Sequence, residues 1–282
     1  MVRVAAVQMS SQQDVAQNLK HVGELVAVAG AQGAQIVLLP ENFAYMGAEE
    51  GRREVSELLD DEAGLVVGAL RSLARRHGVW LVAGGMPERS RDPRRPHNTC
   101  AVFGPDGALV ARYRKIHLFD VELNDGADYR ESSVTTPGQQ AVVVDMAGLR
   151  VGLSVCYDLR FPELYRRLTE QGAQLLLVPA AFTLATGKDH WLVLLRARAI
   201  ENQAYLVAAG QWGRHGARLT NGKSCVIDPW GEVIAQMSEA VGVVTADVDV
   251  GYLESVRSRL PALRHRRLGL EALTTNPGLP KR

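Results

Sequence analysis

Three cysteines in 282 residues, Cys100, Cys156 and Cys225, form a sparse, odd set without a C-x-x-C pair. Neither a disulfide framework nor a zinc ribbon is indicated, and reduced thiols in a cytoplasm fit best. Excess charge is missing too. With 32 basic against 31 acidic side chains the formal charge is +1, which provides no field to gather nucleic acid or anionic lipid. Long apolar runs are absent: the opening MVRVAAVQMSSQQD breaks its short apolar stretch with Arg3 and Gln8, unlike a secretion signal. No later segment is long and apolar enough to cross a bilayer. No Pro/Gly/Ser-rich linker divides the chain, so one domain is expected over 1–282, with 259–282 as a C-terminal arm against another subunit or as a frayed end. What is present is a 46% hydrophobic composition, enough to bury a substantial core, and a small, locally recognised ligand is the expected partner.

An internal repeat organises that chain. Gly33-Ala34-Gln35 runs into IVLLPENFAY, and Gly172-Ala173-Gln174 runs into LLLVPAAFTL; upstream, RVAAVQM from Arg3 resembles RVGLSVC from Arg150. Each half reads as strand, helix, strand. Val15, Leu19, Val22, Leu25, Val26 and Ala29 make one helical stripe, while Leu164 and Leu168 follow Pro162 at a second helix start. Further strands are expected over 79–85, 99–103, 108–113, 204–210, 223–228 and 241–248, with hairpin turns at Gly-Pro-Asp-Gly 104–107 and Asp-Pro-Trp-Gly 228–231. Helices are expected at 63–77, at 188–203 and after Val250. Two sheets face to face, covered outside by helices, would bury all of these strands.

Ligands of open α/β sheets bind beyond the carboxyl ends of strands, and the repeated strands lead into Pro40-Glu41 and into Cys156-Tyr157-Asp158. A carboxylate and a thiol are expected at one address. An ordinary thiol titrates near roughly 8.5, so a cysteine nucleophile needs a base or a cationic neighbour. Glu41 can supply the base, and Lys115, in YRKIHLFD, can face a developing oxyanion. Taken singly these residues have plainer readings: a core thiol, a surface acid and a solvated hairpin lysine. Cys100 and Cys225 keep the core reading. Spacing alone does not select three residues from so many charges.

The segments LPENFAY, RYRKIHLFD and GLSVCYDLRFPELYR together resemble the Glu, Lys and Cys signatures of the nitrilase superfamily of carbon–nitrogen hydrolases. The likeness continues through GKDHWLVLLRARAIENQAYLVAAGQWGRHG and IDPWGEVIA, which resemble the Nit branch. It implies an α/β fold, a four-layer α-β-β-α sandwich of nitrilase type with two pseudo-repeated halves, joined as a homodimer or higher oligomer. It also implies roles: Cys156 as nucleophile, Glu41 as general base and later acid, Lys115 and the Tyr157 N–H as oxyanion donors, and Glu131 beside the lysine. Arg160, Phe182 and Thr186 fall where related amidases contact the carboxylate end of the substrate; the alternative for Arg160 is an ion pair with Glu163 or Asp158. His117 and His190 are taken as structural or pocket-wall groups, since a carboxylate base is already at hand.

The resemblance implies hydrolysis of a small carboxylate-bearing amide through a thioester, with release of ammonia and without metal or cofactor. Within the Nit branch, the segments after Phe119, at Gly213 and at His265 look most like the deaminated-glutathione amidases. The alternatives are an ω-amidase for other 2-oxo acid amides and a catalytically silent scaffold of the same fold.

Overall fold

The computed structural model describes residues 1–49, 51–122 and 128–269, so the far part of the arm expected at 259–282 lies outside the described residues. The chain begins β1 (Val2–Gln8), α1 (Val15–Ala31), β2 (Ile36–Leu38), α2 (Gly51–Glu54), α3 (Leu65–His77) and β3 (Trp80–Glu88). The hairpin β4 (His97–Phe103) and β5 (Leu109–Arg114) follows, then a ribbon of β6 (Asp120–Glu122) and β7 (Asp128–Arg130) and a single turn, α4 (Glu131–Val134). The second half runs β8 (Val143–Met146), β9 (Leu149–Leu153), a 3-10 turn over Cys156–Arg160, α5 (Pro162–Glu170), β10 (Leu175–Ala180), α6 (Leu184–Asn202) and β11 (Tyr205–Gly210). It closes with β12 (Trp212–His215), β13 (Arg218–Asn221), β14 (Cys225–Ile227), β15 (Val233–Gln236), β16 (Gly242–Val248) and α7 (Val250–Arg259).

Local chemistry accounts for the element ends. The Asp14 carboxylate accepts from the amide of Gln17 and caps α1, Pro162 opens α5 where no amide is needed, and Gly78 closes α3 in the left-handed region. The strands expected from the apolar runs form with ends moved by one to three residues, β14 keeping only Cys225–Ile227 of the 223–228 expected. β3 continues past Gly85 to Glu88, and β4 starts two residues before Thr99, because Met86, Pro87 and Glu88 pair with Thr99, Asn98 and His97 beyond the bulge.

Two six-stranded sheets result, in the orders β16-β1-β2-β3-β4-β5 and β8-β9-β10-β11-β14-β15. The orders correspond strand for strand. In each, three parallel strands are flanked by one antiparallel strand on one side and two on the other. Strand periodicity sorts the first sheet's side chains between two cores: Val4, Ala6 and Leu38 join the cluster that contains Leu177 and Ala208 of the facing sheet, while Ala5, Val7 and Val37 join Val22, Val26 and Leu70 of α1 and α3. Leu164, Leu168 and Leu195 cover the second sheet, completing the four-layer α-β-β-α sandwich. Buried on both faces, the parallel strands read as continuous apolar runs. Among the described residues no helix is long and apolar enough to cross a membrane.

The repeat has one consequence for the site. Glu41 follows β2 and Cys156 follows β9, yet the counterpart of β2 is β10 and that of β9 is β1. The acid and the thiol thus come from different positions of the repeat, brought together because the two sheets face each other.

Candidate active site

At Gly84–Gly85 the register of β3 against β4 shifts, and the bulge makes room. A Cβ on Gly84 would stand 2.1 Å from Cβ of Pro179 in β10, and one on Gly85, whose φ is +61°, would stand 2.7 Å from Cγ of Glu41. Backbone without side chains is required at both positions. Glu41 passes into the space so created and is almost wholly buried. Its Oε1 accepts from Lys115 Nζ at 3.0 Å and from Asn98 Nδ2 at 2.8 Å, and its Oε2 accepts from the amide of Ala181 at 3.0 Å.

Lys115 follows β5 and is held from both sides. Its Nζ donates to Glu131 Oε2 at 2.8 Å as well as to Glu41. Burial by itself would push the ammonium toward neutrality, but the charges of Glu131 and Glu41, with a smaller part from Cys156, overcome it and hold the pKa above the ordinary lysine range. Glu131 is the reciprocal case: burial would raise its pKa, and Lys115, Arg52 and the amide of Phe119 together bring it below the usual carboxylate range. That amide donates to Glu131 Oε2 at 2.8 Å.

Cys156 begins the 3-10 turn with φ of +50°, a left-handed conformation that a non-glycine residue adopts at a cost of about 1–3 kcal/mol. Asp158 braces the turn. Its Oδ2 accepts from the amide of Val155 at 2.8 Å and from Tyr113 OH at 2.7 Å, and its Oδ1 lies 2.7 Å from His117 Nδ1. One fully buried carboxylate therefore ties the thiol's turn to the segment that carries Lys115. Burial pushes the Cys156 thiol well above its ordinary pKa, Glu41 adds to that, and Lys115 opposes it. Both burial and Glu41 thus favour the protonated form, and a thiolate at this position would need a neighbour to take the proton. Tyr157 is the second residue of the turn, where the first amides lack acceptors within the helix.

Glu41, Lys115, Glu131, Cys156, Tyr157, Arg160, Phe182 and Thr186 all line one open cleft. Arg160 lies over the rings of Phe182 and Tyr157, 5.1 and 5.9 Å from their centroids, and its Nη1 is 3.3 Å from His190 Nδ1. It forms no ion pair with Glu163, and Asp158 is already occupied by His117. Thr186 Oγ1 is 2.9 Å from Thr183 Oγ1 at the start of α6. His117 stacks on Phe161 at 3.7 Å, outside the cleft wall. Cys100 and Cys225 are fully buried in the core, each pushed up to about 12 with burial as the first cause.

Sequence reasoning missed Asn98, whose Nδ2 bridges Glu41 to Glu131 Oε1, 3.1 Å away. It also treated Asp158 only as a partner for Arg160, and it passed over Arg52 and Arg218, which line the cleft. Only HNTC at 97–100 offered a signal, as polar residues entering an apolar strand.

Residues 3–258 match the family model described as carbon-nitrogen hydrolase. A deaminated glutathione amidase of Synechocystis sp. is 44% identical over 267 residues, covering 93% of this chain and 97% of that protein. Among solved structures, the NitFhit protein of C. elegans superposes with a TM-score of 0.88 at 40% identity, over 94% of this chain and 65% of that one. Nit3 of Saccharomyces cerevisiae, of branch 10 of the nitrilase superfamily, gives 0.86 at 30% identity over 95% and 97%.

Proposed function

Because the chain belongs to the carbon–nitrogen hydrolase family and is an amidase of it, we propose that Cys156 opens the amide of deaminated glutathione with Glu41 as its proton carrier. Glu41 takes the Sγ proton as sulfur adds to the carbonyl carbon. Charge then collects on the carbonyl oxygen opposite Lys115 Nζ and the Tyr157 N–H. Glu41 returns the proton to the departing amine, the C–N bond breaks, and a thioester remains on Sγ. Water deprotonated by Glu41 opens the thioester, and sulfur recovers its proton. Glu131 keeps Lys115 charged and in place.

The observation that carries this reading is the buried Glu41–Lys115–Glu131 network beside the Cys156 thiol, with 3.0 and 2.8 Å contacts to the ammonium. A silent scaffold has no use for two carboxylates and an ammonium buried together, an arrangement that is costly to desolvate. Arg160, with aromatic faces on two sides and no carboxylate of its own among the described residues, takes the carboxylate next to the oxo group, flanked by Phe182 and Thr186. On deaminated glutathione the amine released is cysteinylglycine and the acid is 2-oxoglutarate. Ammonia leaves only from primary amides, so the ammonia expected from the sequence belongs to the competing ω-amide substrates.

Turnover of deaminated glutathione, 2-oxoglutaramate, a nitrile and a carbamoyl amino acid by the purified chain tests the reading. The highest kcat/KM is expected for deaminated glutathione, read as cysteinylglycine release. A higher value for 2-oxoglutaramate would make the chain an ω-amidase, and inertness toward all four would favour the scaffold.

We also propose that the chain acts as one domain in a cytoplasm, where its three buried unpaired thiols stay reduced, and that copies pair through the outer face of α6. Val193 and Ile200 there are 66% and 47% exposed, and in the described part of the arm Arg266 reaches Glu170 of α5 at 2.9 Å. Light scattering should give at least twice the 30.7 kDa chain mass; a monomer at assay concentration would refute pairing.

A further inference from the structure

The cleft wall carries Lys115 and the arginines Arg52, Arg130, Arg160 and Arg218. Three of these cations already hold carboxylates: Lys115 holds Glu41 and Glu131, Arg130 holds Glu122 at 2.6 Å, and Arg218 holds Glu49 at 2.7 Å. Arg52 and Arg160 have no ion pair within salt-bridge distance among the described residues. Arg160 is half-exposed and lies at the Phe182 side of Cys156. Arg52 is different in kind. The residue is only 8% exposed, its Nη1 donates to Asn42 Oδ1 at 3.0 Å, and its Nε and Nη2 are buried with no acceptor among the described residues.

Nε and Nη2 form the edge with which a guanidinium grips both oxygens of a carboxylate. Buried donors without acceptors are uncommon in folded proteins, because each forfeits its hydration without replacement. In a ligand-binding cleft such an edge is satisfied when a ligand supplies the oxygens. Asn42, which orients the group, directly follows Glu41, so Arg52 stands on the side of the reaction centre that carries the acid, whereas Arg160 stands on the turn that carries the thiol.

We propose that the cleft is built for a dianionic amide: Arg160 holds the carboxylate on the acyl side of the scissile bond and Arg52 grips a second carboxylate on the amine side. This rests on the reading of Arg160 as the acyl-end anchor. Deaminated glutathione has a carboxylate on each side of its γ-amide, the second being that of glycine, and 2-oxoglutaramate has one on the acyl side alone. Arg52 is then the residue that separates the two substrate classes.

Three amides test this: deaminated glutathione, the same compound with its glycine carboxylate capped as a primary amide, and 2-oxoglutaramate. Arg52→Met should lower kcat/KM for the uncapped compound by on the order of 10- to 100-fold more than for the other two, the scale of a lost charged hydrogen bond, over a smaller loss common to all three through Glu131. Arg52→Lys keeps the charge and loses the fork, and a smaller loss confined to the uncapped compound is expected; it also serves if the methionine variant folds poorly. Affinities of the capped and uncapped compounds for Cys156→Ala, with and without Arg52→Met, should show the same selective loss. Equal loss on all three amides would mean that Arg52 acts through Glu131, and no loss on the uncapped compound would mean that it binds nothing there; either result overturns the proposal. If the unaltered chain cleaved none of the three, the substrate reading would fall alone, and the affinities would still decide Arg52.

Discussion

Away from the cleft the two halves of the molecule are built alike. The amide of Arg3 donates to Gln35 Oε1 at 3.2 Å and that of Arg150 to Gln174 Oε1 at 3.0 Å, while both glutamine amides return to the arginine carbonyls at 2.8 Å. Gly33 and Gly172 make the same left-handed turn, with φ of 80° and 91°. At the cleft ends the halves part. Where the second half has Cys156 the first has Met9, and where the first has Glu41 the second has Ala180. The backbone differs as well: Cys156 has φ of +50° and Asn42, after Glu41, has φ of +60°, while Met9, Ala180 and Ala181 are unkinked. A duplicated frame thus supplies position twice, and the acid and the thiol proposed to react stand where one copy alone has left-handed backbone.

The largest expected effect breaks that comparison at the thiol. Cys156→Ala should lower kcat by at least about 10⁴-fold, since in the proposed mechanism its Sγ carries the thioester, while Met9→Leu, a swap of similar volume at the counterpart position, should keep kcat within about threefold. Turnover by Cys156→Ala within tenfold of the unaltered chain would refute the nucleophile. The smallest effect sharpens the likeness instead. Gly33→Ala and Gly172→Ala each meet open or ordinary contact around the new Cβ, so each should cost only the left-handed backbone penalty, about 1 kcal/mol. Equal losses in denaturant midpoint with unchanged kcat are expected, and losses differing by more than about 1 kcal/mol would show that the turns are alike in shape but not in load.

Much of this frame was legible without coordinates. The repeat, the apolar strands and the hairpin turns come from short-range pattern, and the strands ending near Glu41 and Cys156 directed attention to the cleft. The supports of the site were not legible. Asn98 matters only because two carboxylates, 57 and 33 residues away in the chain, meet its one amide nitrogen. Asp158 looked like a surface partner for the neighbouring Arg160, but the chain turns it inward to Tyr113 and His117, 45 and 41 residues before it. Arg52, in a polar stretch of GRRE, has nothing local to mark it as the buried arginine of the pair.

The sequence by itself determined the duplicated α/β frame, because hydrophobic period, turn residues and caps act over a few residues and recur in both halves. It also placed an acid, a lysine and a thiol near strand ends, where a parallel sheet presents the residues just beyond its strands to a ligand. Only the tertiary structure decided their states. Lys115 stays charged because Glu41, 74 residues earlier, and Glu131, 16 residues later, close on it out of water. Burial and Glu41 raise the pKa of the Cys156 thiol against the opposing pull of Lys115. Charge in a buried site depends on desolvation and on which opposite charges come within a few ångströms, and both are set by segments far apart in the chain.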